Sequence, residues 1–272
     1  MSYQHTAKQP LDYHSCRYGA SKLLFRGPRR QLRGDYIAVL GGSETYGKYM
    51  AAPYPALLET ALGQPVVNLG YANAGADVFV NDISVMDICR NARACVIQIT
   101  GAHNVSNRFY TVHPRRNDRF LRASSLLKTI YPEIDFTEFN FTRHLLATLQ
   151  GVAPDKFALV RQELREAWIA RMRAILGKIG PRVVLVWMSR QTPDAPGGDI
   201  LRDDPLFVDR DMLDGLRPLV RDIVEIIATE DEIAAGHAGM IVPEHEVAIA
   251  RDMLGTVAHD RLARELAEKL RA

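Results

Sequence analysis

Short apolar runs alternate with longer amphipathic stretches along most of the chain. The apolar runs predict strands buried on both faces, as in a parallel sheet, at residues 35–40, around Val66 and Val67, and at residues 94–100, 182–188 and 222–228. Apolar residues at helical spacing predict helices at about residues 55–62, 78–90, 154–176, 211–220 and 261–270. Strands that alternate with helices in this way predict an α/β fold: a three-layer, doubly wound parallel sheet of about five strands.

Two parts of the chain interrupt this alternation. Residues 1–34 hold few periodic apolar positions, so we interpret them as an N-terminal arm that packs on the domain formed by residues 35–272. Residues from about 105 to 150 interleave arginines with aromatic residues and predict an insertion of loops and short helices. We therefore expect a single α/β domain that carries this insertion.

The composition excludes several classes of function. The 272 residues are 47% apolar and 24% charged, and the net charge of +2 without a nucleic-acid motif argues against a nucleic-acid partner. No segment approaches the roughly 18 apolar residues that span a bilayer, so we expect a cytoplasmic protein with no membrane partner. Cys16, Cys89 and Cys95 form no paired motif and the histidines show no metal-ligand spacing. We therefore predict neither a disulfide framework, nor a metal, nor a cofactor.

The first predicted strand ends in the sequence IAVLGGSETYG. Gly41 and Gly42 permit a close approach of another chain or a ligand, and Ser43 would lie at the carboxyl edge of the sheet near the start of a helix. Ligands of open α/β sheets bind at that edge, so Ser43 suits a nucleophile or a contact to an anion. The alternative is that Ser43 or Thr45 only caps the helix.

The second and third strands end in a similar way, in NLG and TGAHN. This order of blocks resembles the SGNH hydrolase superfamily, which has a flavodoxin-like sheet. The resemblance implies that Ser43 is the nucleophile of an esterase or O-acyltransferase acting on a small-molecule or carbohydrate ester. It further implies that Gly70 donates its backbone N–H, and Asn104 its side-chain amide, to the oxyanion. The strings NLGYANAGADVFVND, TGAHNVSNRFYTVHPRRNDRF and DFTEFNFTRHLL also resemble an uncharacterised SGNH-like family from marine alphaproteobacteria.

The catalytic base is the part of the pattern that the sequence leaves open. A serine hydroxyl needs a base, normally a histidine oriented by a carboxylate, but the usual Asp-x-x-His block before the last helix is absent. The three candidates are His259 at the start of the last helix, His245 between two glutamates, and His103 beside Asn104. The string AHDRLARELAEKL also resembles the helix start that follows the catalytic histidine in many members of the superfamily, and in that register the base would fall near Asp252, where there is no histidine. For each of the three histidines, the alternative is a capping or surface role.

Residues beside these blocks are candidates for substrate binding. They are Gly42, Glu44, Asn73, Arg115, Arg116 and Arg119. The three arginines suit a phosphate or carboxylate of a substrate, because a guanidinium forms paired hydrogen bonds to such anions. Alternatively they pair with three acids of the insertion, Glu133, Asp135 and Glu138.

Two other functions fit the same pattern. The missing Asp-x-x-His block favours a non-catalytic protein that binds an anionic metabolite or a sugar in the crevice. The arginine-rich insertion favours a transferase for surface polysaccharide.

Overall fold

The computed structural model describes residues 11–195, 201 and 204–271, and its centre is a parallel five-stranded sheet. The strands are β1 (Ile37–Gly41), β2 (Val66–Gly70), β3 (Ala94–Gln98), β4 (Tyr110–His113), β5 (Arg116–Ala123), β6 (Val183–Ser189) and β7 (Asp222–Ile227). The sheet has the order β2-β1-β3-β6-β7, which is the flavodoxin-like order of a doubly wound fold. Strands β1, β3 and β6 are buried throughout, as expected for central parallel strands. The predicted fold class is confirmed.

Helices cover both faces of this sheet. They are α1 (Ser43–Tyr46), α2 (Tyr54–Leu62), α3 (Asp77–Val80), α4 (Ile83–Asn91), α5 (Ser125–Ile130), α6 (Thr142–Val152), α7 (Pro154–Ile179), α8 (Arg210–Asp214), α9 (Glu230–Ala235), α10 (Val247–Ala250) and α11 (Thr256–Arg271). On one face, Tyr54 and Leu58 of α2 pack with Leu262 and Leu266 of α11 against apolar residues of the sheet. On the other face the larger core includes Trp168 of α7. The result is three layers with the sheet in the middle.

Three of the predicted helices differ most from the observed ones. The stretch predicted as one helix, residues 78–90, is two helices because Asp82 accepts a hydrogen bond from Val85 N–H (3.1 Å) and starts α4 afresh. Helix α8 ends at Asp214, and a separate 3-10 turn that contains Pro218 follows at Arg217–Leu219. The last helix starts earlier than predicted, at Thr256.

The insertion contains an antiparallel hairpin, β4 and β5, in addition to the predicted short helices. Asn117 of this hairpin is fully buried and its Oδ1 accepts hydrogen bonds from the N–H groups of Gly75 and Val78, each at 3.0 Å. The hairpin is therefore fixed against the loop that follows β2.

Residues 11–34 lie against the domain. Tyr18, Leu23 and Phe25 are buried in the larger core, and the buried guanidinium of Arg26 donates to the carbonyl of Gly47 at 2.6 Å. Residues 1–10 of the predicted arm lie outside the described residues. Among the described residues, no helix combines the length and apolar character that crossing a bilayer requires.

Candidate functional site

A cavity of about 610 Å³ opens at the carboxyl ends of β1 and β3. The strand order reverses between these two strands, and ligands of open α/β sheets bind at such a point. Ser43, Asn73, His103 and Asn104 line this space, which we call the Ser43 cavity. The loops after the first three strands therefore meet at one cavity.

Gln98 at the end of β3 fixes the turn that carries Ser43. Its Oε1 accepts hydrogen bonds from Gly42 N–H (3.0 Å) and from the Thr45 hydroxyl (2.6 Å), and its Nε2 donates to Glu44 Oε2 (3.0 Å). The N-cap residue of α1 is Gly42, which has no side chain, so no side-chain capping hydrogen bond forms. The capping interpretation of Ser43 and Thr45 is therefore not what the structure shows, and the Ser43 side chain borders the cavity.

The Ser43 hydroxyl is paired with Asn73. Its Oγ accepts a hydrogen bond from the Asn73 backbone N–H (3.2 Å) and donates to Asn73 Oδ1 (3.3 Å). Asn73 has a left-handed backbone with φ of 56°, which asparagine tolerates better than most residues. Asn73 thus supplies the backbone donor that lies beside the serine.

Gly70 does not occupy the position that the resemblance implies. Its N–H already donates to Asn68 Oδ1 (2.8 Å), and Gly70 does not line the cavity. A Cβ at this position would lie 2.3 Å from the Tyr46 nitrogen. Glycine is therefore required for the close packing of α1 on β2, and the donor next to the serine comes from Asn73.

Asn104 is buried and held from behind. Its Oδ1 accepts a hydrogen bond from the Thr142 hydroxyl (2.8 Å), so the amide nitrogen is the end left to donate to a ligand. The preceding loop approaches Asn104 very closely, because a Cβ on Gly75 would lie 2.0 Å from the Asn104 carbonyl oxygen. Gly75 therefore permits the contact between the loops after β2 and β3.

We expect Gly75→Ala to lower the free energy of unfolding by about 3 kcal/mol, because the added methyl group must displace the Asn104 backbone. Urea unfolding measures this change. Gly177→Ala is the matched control, since Gly177 is exposed in α7 with no atom near its Cβ position. That variant should gain about 1 kcal/mol from helix propensity. Equal unfolding free energies for Gly75→Ala and wild type would contradict the close contact.

Of the three predicted histidine candidates, His103 lines the Ser43 cavity. It is 5% exposed, and its Nδ1 has no hydrogen-bond partner among the described residues. Burial, helped by the positive charge of Arg143, holds the pKa of His103 well below its ordinary value. The ring is thus neutral at neutral pH, and its unprotonated nitrogen can accept a proton. The exposed His144 also lines the cavity and was missed in the sequence, where nothing separates it from the other polar residues of α6.

The structure places the other two histidines elsewhere. His259 is fully buried between α11 and α2, where its Nδ1 accepts the Tyr54 N–H at 3.0 Å. His245 is exposed outside the cavity. Asp252, the position of the shifted register, does line the cavity, and its carboxylate lies 3.6 Å from the guanidinium of Arg190. These positions support a packing role for His259 and leave His103 as the candidate base.

The buried His259 should make folding sensitive to acid. Burial, together with the charge of Arg26, lowers the pKa of His259 to about 3. The unfolded chain takes up a proton below about pH 6.5 while the folded protein does not, so this stabilisation is present above pH 6.5 and is lost as pH falls toward 3. Between about pH 6.5 and pH 5 the loss should be about 2 kcal/mol.

Urea unfolding of His259→Asn at both pH values tests this expectation. The variant should lack that part of the pH dependence, whereas His245→Asn should retain it because His245 is exposed. Parallel pH profiles for wild type and His259→Asn would contradict the assignment.

Carboxyl groups surround the serine as well. Burial raises the pKa of Glu44, opposed by its hydrogen bond from Gln98, and the nearby Asp204 raises it further. Burial also raises the pKa of Asp118, opposed by the positive charges of Arg119 and Arg116. Asp204 pairs with Arg143 at 2.6 Å. The cavity thus carries both signs of charge beside the serine.

The predicted arginines divide between two places. Arg116 and Arg119 line a second, adjoining groove of about 800 Å³, whereas Arg115 is exposed at the hairpin turn and lines neither space. Among the described residues, the predicted pairing with acids of the insertion is not observed. Glu133 lies 3.6 Å from Lys156 instead, and Asp135 bonds to Thr137.

Solved structures similar to this chain include lipases and carbohydrate esterases. A lipase, Lip_vut3 from a goat rumen metagenome, is 12% identical with a TM-score of 0.48, over 86% of this chain and 97% of that one. A family two carbohydrate esterase from Clostridium thermocellum, in complex with cellohexaose, is 11% identical with a TM-score of 0.43, over 92% and 66%. A lipase/acylhydrolase from Enterococcus faecalis is 12% identical with a TM-score of 0.41, over 87% and 95%.

At such identities and TM-scores, neither site residues nor activity transfer from these proteins to this one. No curated protein sequence matches the chain. The resemblance to an alphaproteobacterial family stays a prediction. Over residues 1–272, its whole length, the chain matches one family and belongs to it: the family described as a domain of unknown function, DUF6473.

Proposed function

We propose that the protein is a serine esterase that acts on a small-molecule or carbohydrate ester, with Ser43 as the nucleophile. The observation that carries the proposal is the position of the Ser43 hydroxyl. It lies 3.2 Å from the Asn73 N–H, in a cavity that Asn104 and His103 also line. Nucleophile, oxyanion donors and a neutral imidazole are the parts that acyl transfer requires.

The reaction assigns one role to each of these groups. Ser43 Oγ attacks the ester carbon while His103 takes the hydroxyl proton, and the carbonyl oxygen becomes an oxyanion. The Asn73 N–H and the Asn104 amide donate to that oxyanion, and each such donor stabilises the transition state by roughly 3 to 4 kcal/mol in enzymes of this type. The alcohol leaves with the proton held by His103, and water then attacks the acyl-serine by the same route. If an acceptor alcohol took the place of water, the reaction would be O-acyl transfer, which is the reaction of the polysaccharide transferase considered from the sequence.

Turnover of acetyl esters tests the proposal. Purified protein should hydrolyse p-nitrophenyl acetate, and prior treatment with a fluorophosphonate should abolish the turnover, because the phosphonate forms a stable adduct with an activated serine. Folded protein that neither turns over the ester nor reacts with the phosphonate would contradict it.

A second candidate is a non-catalytic protein that binds an anionic metabolite or a sugar in the Ser43 cavity. One observation favours it: both hydrogen bonds of Ser43 Oγ, at 3.2 Å and 3.3 Å, are to Asn73 and not to a histidine. In the alternative register of the sequence, the position of the catalytic histidine falls near Asp252, which lines the cavity. Here Ser43→Ala would change affinity for such a ligand and remove no activity. A cytoplasmic location fits either candidate and stays a prediction.

A further inference from the structure

The second groove adjoins the Ser43 cavity and shares one wall with it. Four residues line both spaces: Lys48, Asn73, Asp118 and Phe141. A ligand whose ester lies at Ser43 would therefore extend past Asn73 into the groove. At about 800 Å³ the groove has room for a ring and its substituents.

The groove carries an excess of positive charge on its hairpin wall. Arg116 and Arg119 line it, and among the described residues neither guanidinium lies within 4.0 Å of a carboxylate. Asp118 stands between them on the same strand, so two cations face one acid there. Two other charged residues of the lining, Lys48 and Glu246, balance each other at 3.5 Å. One guanidinium charge is left over for an anionic ligand.

Aromatic rings form much of the remaining lining. Tyr13 from the N-terminal arm and Tyr46 from α1 lie with ring centroids 5.1 Å apart, and Tyr71 lines the groove beside them. Phe141 is 44% exposed, with the Arg119 guanidinium 4.1 Å from its ring centroid. Such faces favour a flat or cyclic group, and their polar tips tolerate its hydroxyls.

We propose that this groove binds a ring bearing a carboxylate, with the carboxylate on Arg116 and Arg119 and the ring against the tyrosines. The proposal rests on the proposed function in one respect: the bound acid would be the part of the substrate that adjoins its ester. A guanidinium recognises a carboxylate through two parallel N–H···O bonds, and the aromatic faces supply the apolar contact. The ring's source, sugar or arene, is distinguished by the probes below.

Equilibrium dialysis with wild-type protein tests the groove without any ester chemistry. We expect p-nitrophenyl β-glucuronide to bind at least tenfold more tightly than p-nitrophenyl β-glucoside, which has a neutral group where the glucuronide has its carboxylate. Hippurate, an arene carboxylate, gives the second arm. Preference for glucuronide over hippurate assigns a sugar acid, and the reverse preference assigns an aromatic acid.

Variants on one strand separate the groove from general surface charge. Arg116→Ser should weaken binding of the preferred carboxylate, and Arg116→Ser/Arg119→Ser should weaken it at least tenfold. Arg122→Ser, an exposed arginine further along β5 that lines neither space, should leave it unchanged. Thermal unfolding checks that each variant is folded.

Equal binding of glucuronide and glucoside with no binding of hippurate would overturn the proposal, as would equal losses in the Arg116 and Arg122 variants. Loss of carboxylate binding in Arg116→Ser together with intact turnover of p-nitrophenyl acetate would support the groove as a binding site separate from the chemistry at Ser43. Carboxylate binding by a protein that hydrolyses no ester would instead keep the groove and reject the esterase.

Discussion

Ser43→Ala is expected to lower kcat for p-nitrophenyl acetate by about 10³-fold or more. The hydroxyl is the atom that forms the acyl bond, and removing a serine nucleophile leaves only the catalysis supplied by the oxyanion donors and binding. The Asn73 N–H and the Asn104 amide remain in the variant, so KM should change far less than kcat. Steady-state kinetics of the two proteins measure both parameters.

A matched serine serves as the control for this experiment. Ser125 is exposed at the start of α5, away from both spaces, so Ser125→Ala should keep the wild-type kcat. Circular dichroism should show that both variants are folded. If Ser43→Ala retained its turnover of the ester, another group would be the nucleophile and the assignment of Ser43 would be wrong.

His103→Gln should lower kcat/KM by about 10²- to 10⁴-fold, the usual contribution of a general base. The wild-type pH profile gives an independent readout. Burial and Arg143 hold the pKa of His103 well below about 6.5, so the neutral ring persists as pH falls through that value. Activity should therefore be retained at pH 6 and decline only at clearly lower pH.

Two outcomes would remove His103 from this role. The first is a kcat/KM profile with its acid midpoint at or above about pH 6.5. The second is a loss of activity in His144→Gln that exceeds the loss in His103→Gln, because His144 lines the same cavity. His237→Gln, which touches neither space, should have wild-type activity and provides the control.

The polar residues at the strand ends were predictable because strand periodicity and chain order are local properties. Ser43 and Asn104 follow apolar runs, and parallel strands bring such ends to one edge of the sheet. Which backbone N–H lies beside the serine was not predictable. It depends on the left-handed backbone of Asn73 and on the Asn68 side chain, which takes the Gly70 N–H.

The burial of His259 had a signal in the sequence. His259, Leu262, Leu266 and Leu270 recur at helical spacing, so one apolar face of α11 includes the histidine, and all four are buried. The predicted helix starts at residue 261, so it leaves His259 outside that apolar face. The position of a helix start is among the least reliable features of a sequence-based assignment.

The hairpin in the insertion was not predicted, because its arginines obscure the strand pattern in the sequence. The apolar residues on its buried side are Tyr110, Val112 and Phe120, while Arg116, Arg119 and Arg122 interrupt the apolar alternation expected for strands. Its place in the fold depends on the long-range contact between Asn117 and the loop after β2, which no local pattern encodes.

Mass spectrometry of the protein after reaction with a fluorophosphonate measures most directly whether the converging loops activate one hydroxyl. We expect a single adduct per chain, located by peptide mapping on Ser43, and no adduct in Ser43→Ala. Folded wild-type protein that stays unmodified, or that carries its adduct on a different residue, would contradict the assignment of Ser43 as an activated nucleophile.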